Sequence, residues 1–179
     1  MHLKLPAIAI YYHSFKSISG QGSEEHFYQL KKQLDTKGAL FPPQELRVIY
    51  LLTINYCISR INAGASSFVR ESYDLYKNGL ERDIFLENGV LSRFTFSNVV
   101  TTGLNLKEYK WVEDFIRDYA ILSLQRNVKI LGIFARLSVR DNKHDYLKLM
   151  PRVLDFVKKR ISLQEPAISE IGKFLKIFL

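Results

Sequence analysis

Cysteine occurs once in these 179 residues, and helix breakers are few, with five prolines and nine glycines. The lone Cys57 excludes an intramolecular disulfide and fits a reducing compartment. It lies in "VIYLLTINYCISR", where a free thiol behaves as a small buried hydrophobe rather than a nucleophile. Scarce proline and glycine leave long unbroken stretches, which favours helices. Strict period-two alternation bounded by turns is lacking, so no sheet is expected. The longest apolar run lies between Arg47 and Arg60, short of the roughly 20 residues needed to span a bilayer. The start, "MHLKLPAIAIYYHSF", carries one lysine, a very short apolar segment and no clear small-residue cleavage site, so it does not read as a signal peptide. A soluble, cytoplasmic chain with no membrane partner is expected. Histidine is sparse as well. His2, His13, His26 and His144 show no zinc-type spacing; no metal or cofactor is expected, and His13, among Tyr11, Tyr12 and Phe15, reads as a packing residue.

What the chain does hold is apolar and basic. A hydrophobic content of 47% with 13% aromatics belongs to a globular chain and excludes disorder, and the length suits one domain, 1–179. The net charge of +8 is placed unevenly. Residues 1–118 hold 14 lysines and arginines against 13 acids, whereas residues 119–179 hold 12 against 5. That step marks an acidic partner or a chain assembled from two sources.

Periodicity and punctuation predict about seven to nine helices. The first covers about 6–18 with Pro6 at its start. "SGQGS" is a turn, and Ser23 caps a helix whose first turn carries Glu24 and Glu25, best explained by the helix dipole rather than as an acid/base pair. "EEHFYQLKKQLDTKG" puts Phe27, Leu30 and Leu34 on one face and ends at Gly38. Helices from Gln44 to about Asn62, Ser66 to Arg82, and Arg93 to Thr102 follow, the last broken by Gly103. One or two helices run from Leu106 to Val139. Lys143 to Ser162 is next, with a kink at Pro151. Ala167 to Phe178 closes the chain as an amphipathic cap. Tyr12, Tyr56 and Val99 recur on first helices and Phe27, Ser72 and Phe115 on second ones, about 43 or 44 residues between units. That interval fits stacked helix pairs, an all-α solenoid, because one pair cannot bury its own apolar face.

Two resemblances accompany this reading. "LPAIAIYYHSFKSI", "LFPPQELRVIYLLTINYCISRINAG", "FVRESYDLYKNGLE" and "LENGVLSRFTFSNVVTTGLNLKEYKWVEDFI" resemble uncharacterised tetratricopeptide-like helical-repeat proteins of bacteria, over roughly residues 5–118. Gly103, Tyr109, Trp111 and Phe115 fit the repeat loosely. From about Ala120, "LSLQRNVKILGIFARLSVRDNKHDYLKLMPRVLDFVKKR" is similar to the C-terminal end of aminoglycoside-phosphotransferase-like kinases, including those acting on cell-wall sugars. Gln125-Arg126-Asn127, "LGIFARL", Arg140-Asp141 and Leu149-Met150-Pro151-Arg152 carry that match. The resemblance implies an "HGD…N" loop and a later acidic metal ligand. Neither occurs here: His144-Asp145 is followed by "YLKLMP", so no catalytic residue is carried over and the chain is expected not to be an enzyme. The junction near 114–119 coincides with the step in charge and suggests a composite chain, whether recombined, designed or a natural fusion.

The remaining chemical signal is a basic stripe. Arg126, Lys129, Arg136, Arg140 and Lys143 are spaced by 3, 7, 4 and 3 residues, one face of a helix. Leu124, Val128, Leu131, Phe134, Ala135 and Leu137 fall elsewhere round it as a candidate buried side. Such a stripe suits the phosphates of a nucleic acid or another acidic partner, or is simply a solvated face. Tyr50, Tyr73 and Arg70 are candidates for lining a concave surface that holds a protein or peptide. The sequence thus points to a non-catalytic helical-repeat scaffold or protein–protein interaction module. The alternatives are an acidic-partner module using the stripe, and a sugar-kinase fragment without its active site.

Overall fold

A computed structural model describes residues 5–19 and 23–162. The fold is all-α, with seven α-helices among the described residues. In chain order these are α1 (Pro6–Ile18), α2 (Ser23–Lys37), α3 (Pro43–Asn62), α4 (Phe68–Glu81), α5 (Arg93–Asn105), α6 (Tyr109–Asp141) and α7 (Met150–Ile161). The "SGQGS" turn and the terminal amphipathic segment fall wholly or largely outside the described residues. None of the described helices is long and apolar enough to cross a membrane. The chain divides into two compact units, residues 1–109 and 110–179.

Local chemistry explains the helix ends. Pro6 and Pro43 sit in first turns, where a missing N–H costs nothing. Ser92 caps α5, its hydroxyl accepting from the Thr95 N–H at 3.0 Å. At the other ends the chain turns left-handed: Gly64 (φ 93°), Asp83 (φ 56°), Lys107 (φ 59°) and Asn142 (φ 53°) follow α3, α4, α5 and α6. Beyond α4, the Ile84 N–H reaches back to the Gly79 carbonyl at 2.9 Å; beyond α5, the Glu108 N–H reaches Gly103 at 3.0 Å. These bonds satisfy carbonyls that a helix end leaves open. They also correct two expectations. Gly103 does not break α5 but lies buried within it, two residues before its end. Pro151 does not kink a helix but starts one: a 3₁₀ segment, His144–Leu149, precedes α7, and proline is tolerated only in that first turn.

The absence of a sheet is corrected as well. Leu86–Glu87 (β1) and Val90–Leu91 (β2) pair antiparallel, with Leu86 opposite Leu91 and Glu87 opposite Val90. Asn88 (φ 52°) and Gly89 (φ 74°) make the turn. Asn-Gly supplies the two positive φ values that a tight hairpin turn requires.

In the first unit, α1 packs along α2 and α3 packs along α4, with α5 against α4. The core is aromatic. Phe27 of α2 stacks on Tyr56 of α3 at 5.2 Å between centroids and meets Phe68 of α4 edge-on at 5.3 Å. Lys31 ties α2 to Glu71 of α4 at 2.6 Å. Of the three first-helix repeat positions, Tyr56 and Val99 are buried but Tyr12 is exposed, so the first unit of the expected repeat does not use that position as core.

In the second unit, α6 runs for 33 residues, about 50 Å at 1.5 Å per residue. Ala120 and Leu124 of α6 bury against Val157 of α7, flanked by Ile121, Val128, Leu131 and Ile161. Gly132 lies within α6, exposed, and a Cβ there would meet nothing within 4 Å. A helix-interior glycine costs backbone entropy, so Gly132→Ala is expected to stabilise this unit by about 1 kcal/mol. Thermal unfolding followed by circular dichroism checks it; an unchanged or lowered midpoint would mean that α6 is not a continuous helix through Gly132.

Candidate functional site

The basic stripe occupies the solvent face of α6. At 100° per residue, Arg126, Lys129, Arg136 and Arg140 fall within a sector of about 80°, and all four are exposed. The opposite side is the one that Ala120 and Leu124 bury against α7. Of the candidate buried residues, Leu124 is fully buried, Val128 and Leu131 are half-buried, and Ala135 is exposed. Lys143 is not part of the face. The helix ends at Asp141, Asn142 turns left-handed, and the Lys143 N–H bonds back to the Leu137 carbonyl at 3.0 Å. Sequence spacing extended the helical period one step past the point where the helix stops.

The run "RDNKHD" is the reversal between α6 and α7. Arg140 grips Asp141 through Nε at 2.7 Å and Nη2 at 3.2 Å. That hydrogen bond, with the positive charges of Lys143 and Arg136 behind it, holds the Asp141 carboxyl below the usual carboxylate range. Ser138 Oγ and His144 Nδ1 share a hydrogen bond of 2.9 Å, and Lys148 pairs with Asp145 at 2.7 Å.

Of the residues considered for a concave binding surface, Tyr50 and Tyr73 are placed in the packing instead, while Arg70 stays exposed. Tyr50 is fully buried and donates its hydroxyl proton to Asn78 Oδ1 at 2.5 Å. Tyr73 is buried, with the Arg70 guanidinium over its ring at 5.4 Å and Arg70 paired to Glu108 at 2.9 Å. Cys57 is buried between α3 and its neighbours, and burial pushes its thiol up to about 12. It stays protonated at neutral pH and is no nucleophile.

One constellation escaped the sequence reading. His13 of α1 and His26 of α2 face each other, Nδ1 to Nδ1, at 3.0 Å. The Tyr12 ring stands edge-on to both, with centroids at 5.3 and 5.6 Å. Among the described residues no group of three or more His, Cys, Asp or Glu side chains could hold a metal ion. Burial, then the nearby His26, lowers the His13 pKa from 6.5, with Glu25 pulling the other way. The unfolded chain therefore binds a proton at His13 at a higher pH than the folded chain does. Stability is full above the unfolded value and is lost as pH falls from there toward the folded one. The urea midpoint is accordingly expected to be lower at about pH 5.5 than at about pH 7.5. His13→Gln should shrink that difference; an undiminished difference would show that other groups cause it.

Comparison with known proteins finds partial matches. The chain is 36% identical over 63 residues to an N-acetylmuramate/N-acetylglucosamine kinase of Pseudomonas aeruginosa, covering 35% of this chain and 18% of that protein. It is 35% identical over 63 residues to the kinase of the same name from Pseudomonas putida, with the same coverage. The Neisseria meningitidis serogroup B kinase of that name is 34% identical over 95 residues, 49% of this chain and 27% of that protein. The matched stretch is thus roughly a fifth to a quarter of the relatives' length. No protein-family model matches the chain, and no solved structure matches it significantly. These matches agree with the resemblance to kinases acting on cell-wall sugars; the tetratricopeptide-like resemblance is not shown by them. The expectation that the chain is not an enzyme is corrected by them. The proteins it matches are kinases, and a shared stretch this short decides neither for nor against catalysis here. The non-catalytic scaffold reading draws no support from them.

Proposed function

We propose that the chain carries a helical segment of the N-acetylmuramate/N-acetylglucosamine kinase type, centred on α6 and α7, and engages amino sugars of that class in the cytoplasm. The observation behind this reading is the 36% identity over 63 residues to such a kinase. The packing of the two helices through Ala120, Leu124 and Val157 adds a folded segment able to keep that identity in a defined shape. Saturation-transfer NMR with N-acetylglucosamine and with N-acetylmuramate, and glucose as control, tests it. The reading expects transfer to the amino sugars and not to glucose. Equal transfer to all three, or to none, would sink it. ADP release measured in the same samples, with and without sugar, decides whether engagement extends to phosphoryl transfer.

A second reading rests on the exposed face of Arg126, Lys129, Arg136 and Arg140. It is a surface for an acidic partner, with nucleic acid as the extreme case. Binding to a short duplex or to heparin should then fall steeply between low and moderate salt and be abolished by Arg136→Glu with Arg140→Glu. Salt-insensitive binding, or binding that survives both reversals, would count against it.

A further inference from the structure

We propose that His13 and His26 form a two-imidazole site for a divalent transition metal, Cu2+ in preference to Ni2+ or Zn2+. The two rings come from different helices packed along each other, so their separation is set by the helix pair rather than by a loop. Imidazole nitrogens bind such ions at about 2.0–2.1 Å. Two of them in adjacent positions of a square-planar centre then stand about 2.9 Å apart, and about 3.3 Å apart in a tetrahedral one. The Nδ1 atoms are 3.0 Å apart, with ring planes at 43°. That bite is nearer the square-planar value, which Cu2+ and Ni2+ prefer, and Cu2+ heads the affinity order for nitrogen donors.

In the metal-free pair one ring donates its Nδ1–H to the other. On metal binding that ring moves its proton from Nδ1 to Nε2, which leaves both Nδ1 lone pairs for the ion. Both side chains are half-exposed, so an ion can reach them and water can fill the remaining positions. The Tyr12 ring, edge-on to both imidazoles, limits how far either can turn away. Glu25, close enough to act on the charge of His13, offsets part of the ion's charge.

The test is calorimetric titration of the untagged chain with Cu2+, paired with electron paramagnetic resonance. One ion per chain with nitrogen ligation is expected. His13→Gln and His26→Gln should each weaken binding by at least about 10-fold, while His144→Gln, whose ring is tied to Ser138, leaves it unchanged. Loss of binding on His2→Gln alone would put the ion at the start of the chain and overturn the proposal. Should both glutamine variants fail to fold, histidine footprinting of the unaltered chain with diethyl pyrocarbonate decides. Saturating Cu2+ then protects His13 and His26, and unchanged labelling of the two overturns the site.

Discussion

Replacing Phe27 by alanine is expected to destabilise the first unit by about 3–5 kcal/mol, the range for emptying a well-packed aromatic site. The ring is 0% exposed. It lies between the stacked ring of Tyr56 at 5.2 Å and the edge-on ring of Phe68 at 5.3 Å, so it joins α2 to both α3 and α4. Neither neighbour is free to fill the space. Tyr56 and Phe68 already meet edge-on at 5.6 Å, and the Arg60 guanidinium covers Phe68 at 5.5 Å. Urea unfolding followed by circular dichroism measures the shift, and a loss below about 1 kcal/mol would mean that the site collapses rather than leaving a cavity. Trp111, in the second unit, reports separately. If residues 1–179 form the single domain expected from the length, its fluorescence midpoint falls by the same amount. A midpoint that stays put would show independent unfolding.

Gly79→Ala is the second large effect. Gly79 is buried in the last turns of α4, and a Cβ there would stand 2.2 Å from Cε2 and 2.5 Å from Cζ of Phe85. Phe85 cannot step aside cheaply. It is 1% exposed and held edge-on to Tyr50 at 6.1 Å and tilted against Tyr76 at 5.8 Å. Overpacking of this kind costs about 1–3 kcal/mol and sometimes more, against a small gain in helix propensity. The control is Gly79→Ala combined with Phe85→Leu. The smaller side chain makes room for the methyl, so the double variant should lose less than the sum of the two single losses. Strict additivity would show that the ring and the glycine are not in contact.

Much of the helical plan was legible because it rests on local rules. Pro6 marked a start because its ring fixes φ near the helical value wherever it sits. Phe27, Leu30 and Leu34 were legible as one face, and all three are fully buried. The hairpin was legible too and went unread: Asn88-Gly89 between Glu87 and Val90 carries the turn signal in its own dihedral preferences. The left-handed ends at Asp83 and Lys107 were not legible. Lys107 does not favour that conformation by itself and Asp83 only weakly, and each is held there by bonds back into the preceding helix. Lys143 shows the opposite failure: its spacing was right, but the helix had already ended.

By itself, then, the sequence determined the helical class and the basic side of α6. Each follows from composition or from a period of 3.6 residues, which neighbours in the chain impose on one another. Only the tertiary structure decided that Tyr50 and Tyr73 belong to the core, that Gly79 makes room for Phe85, and that His13 meets His26. Those partners lie on separate elements. No helical or strand period relates residues on different elements; only the packing of one element against another brings them within reach.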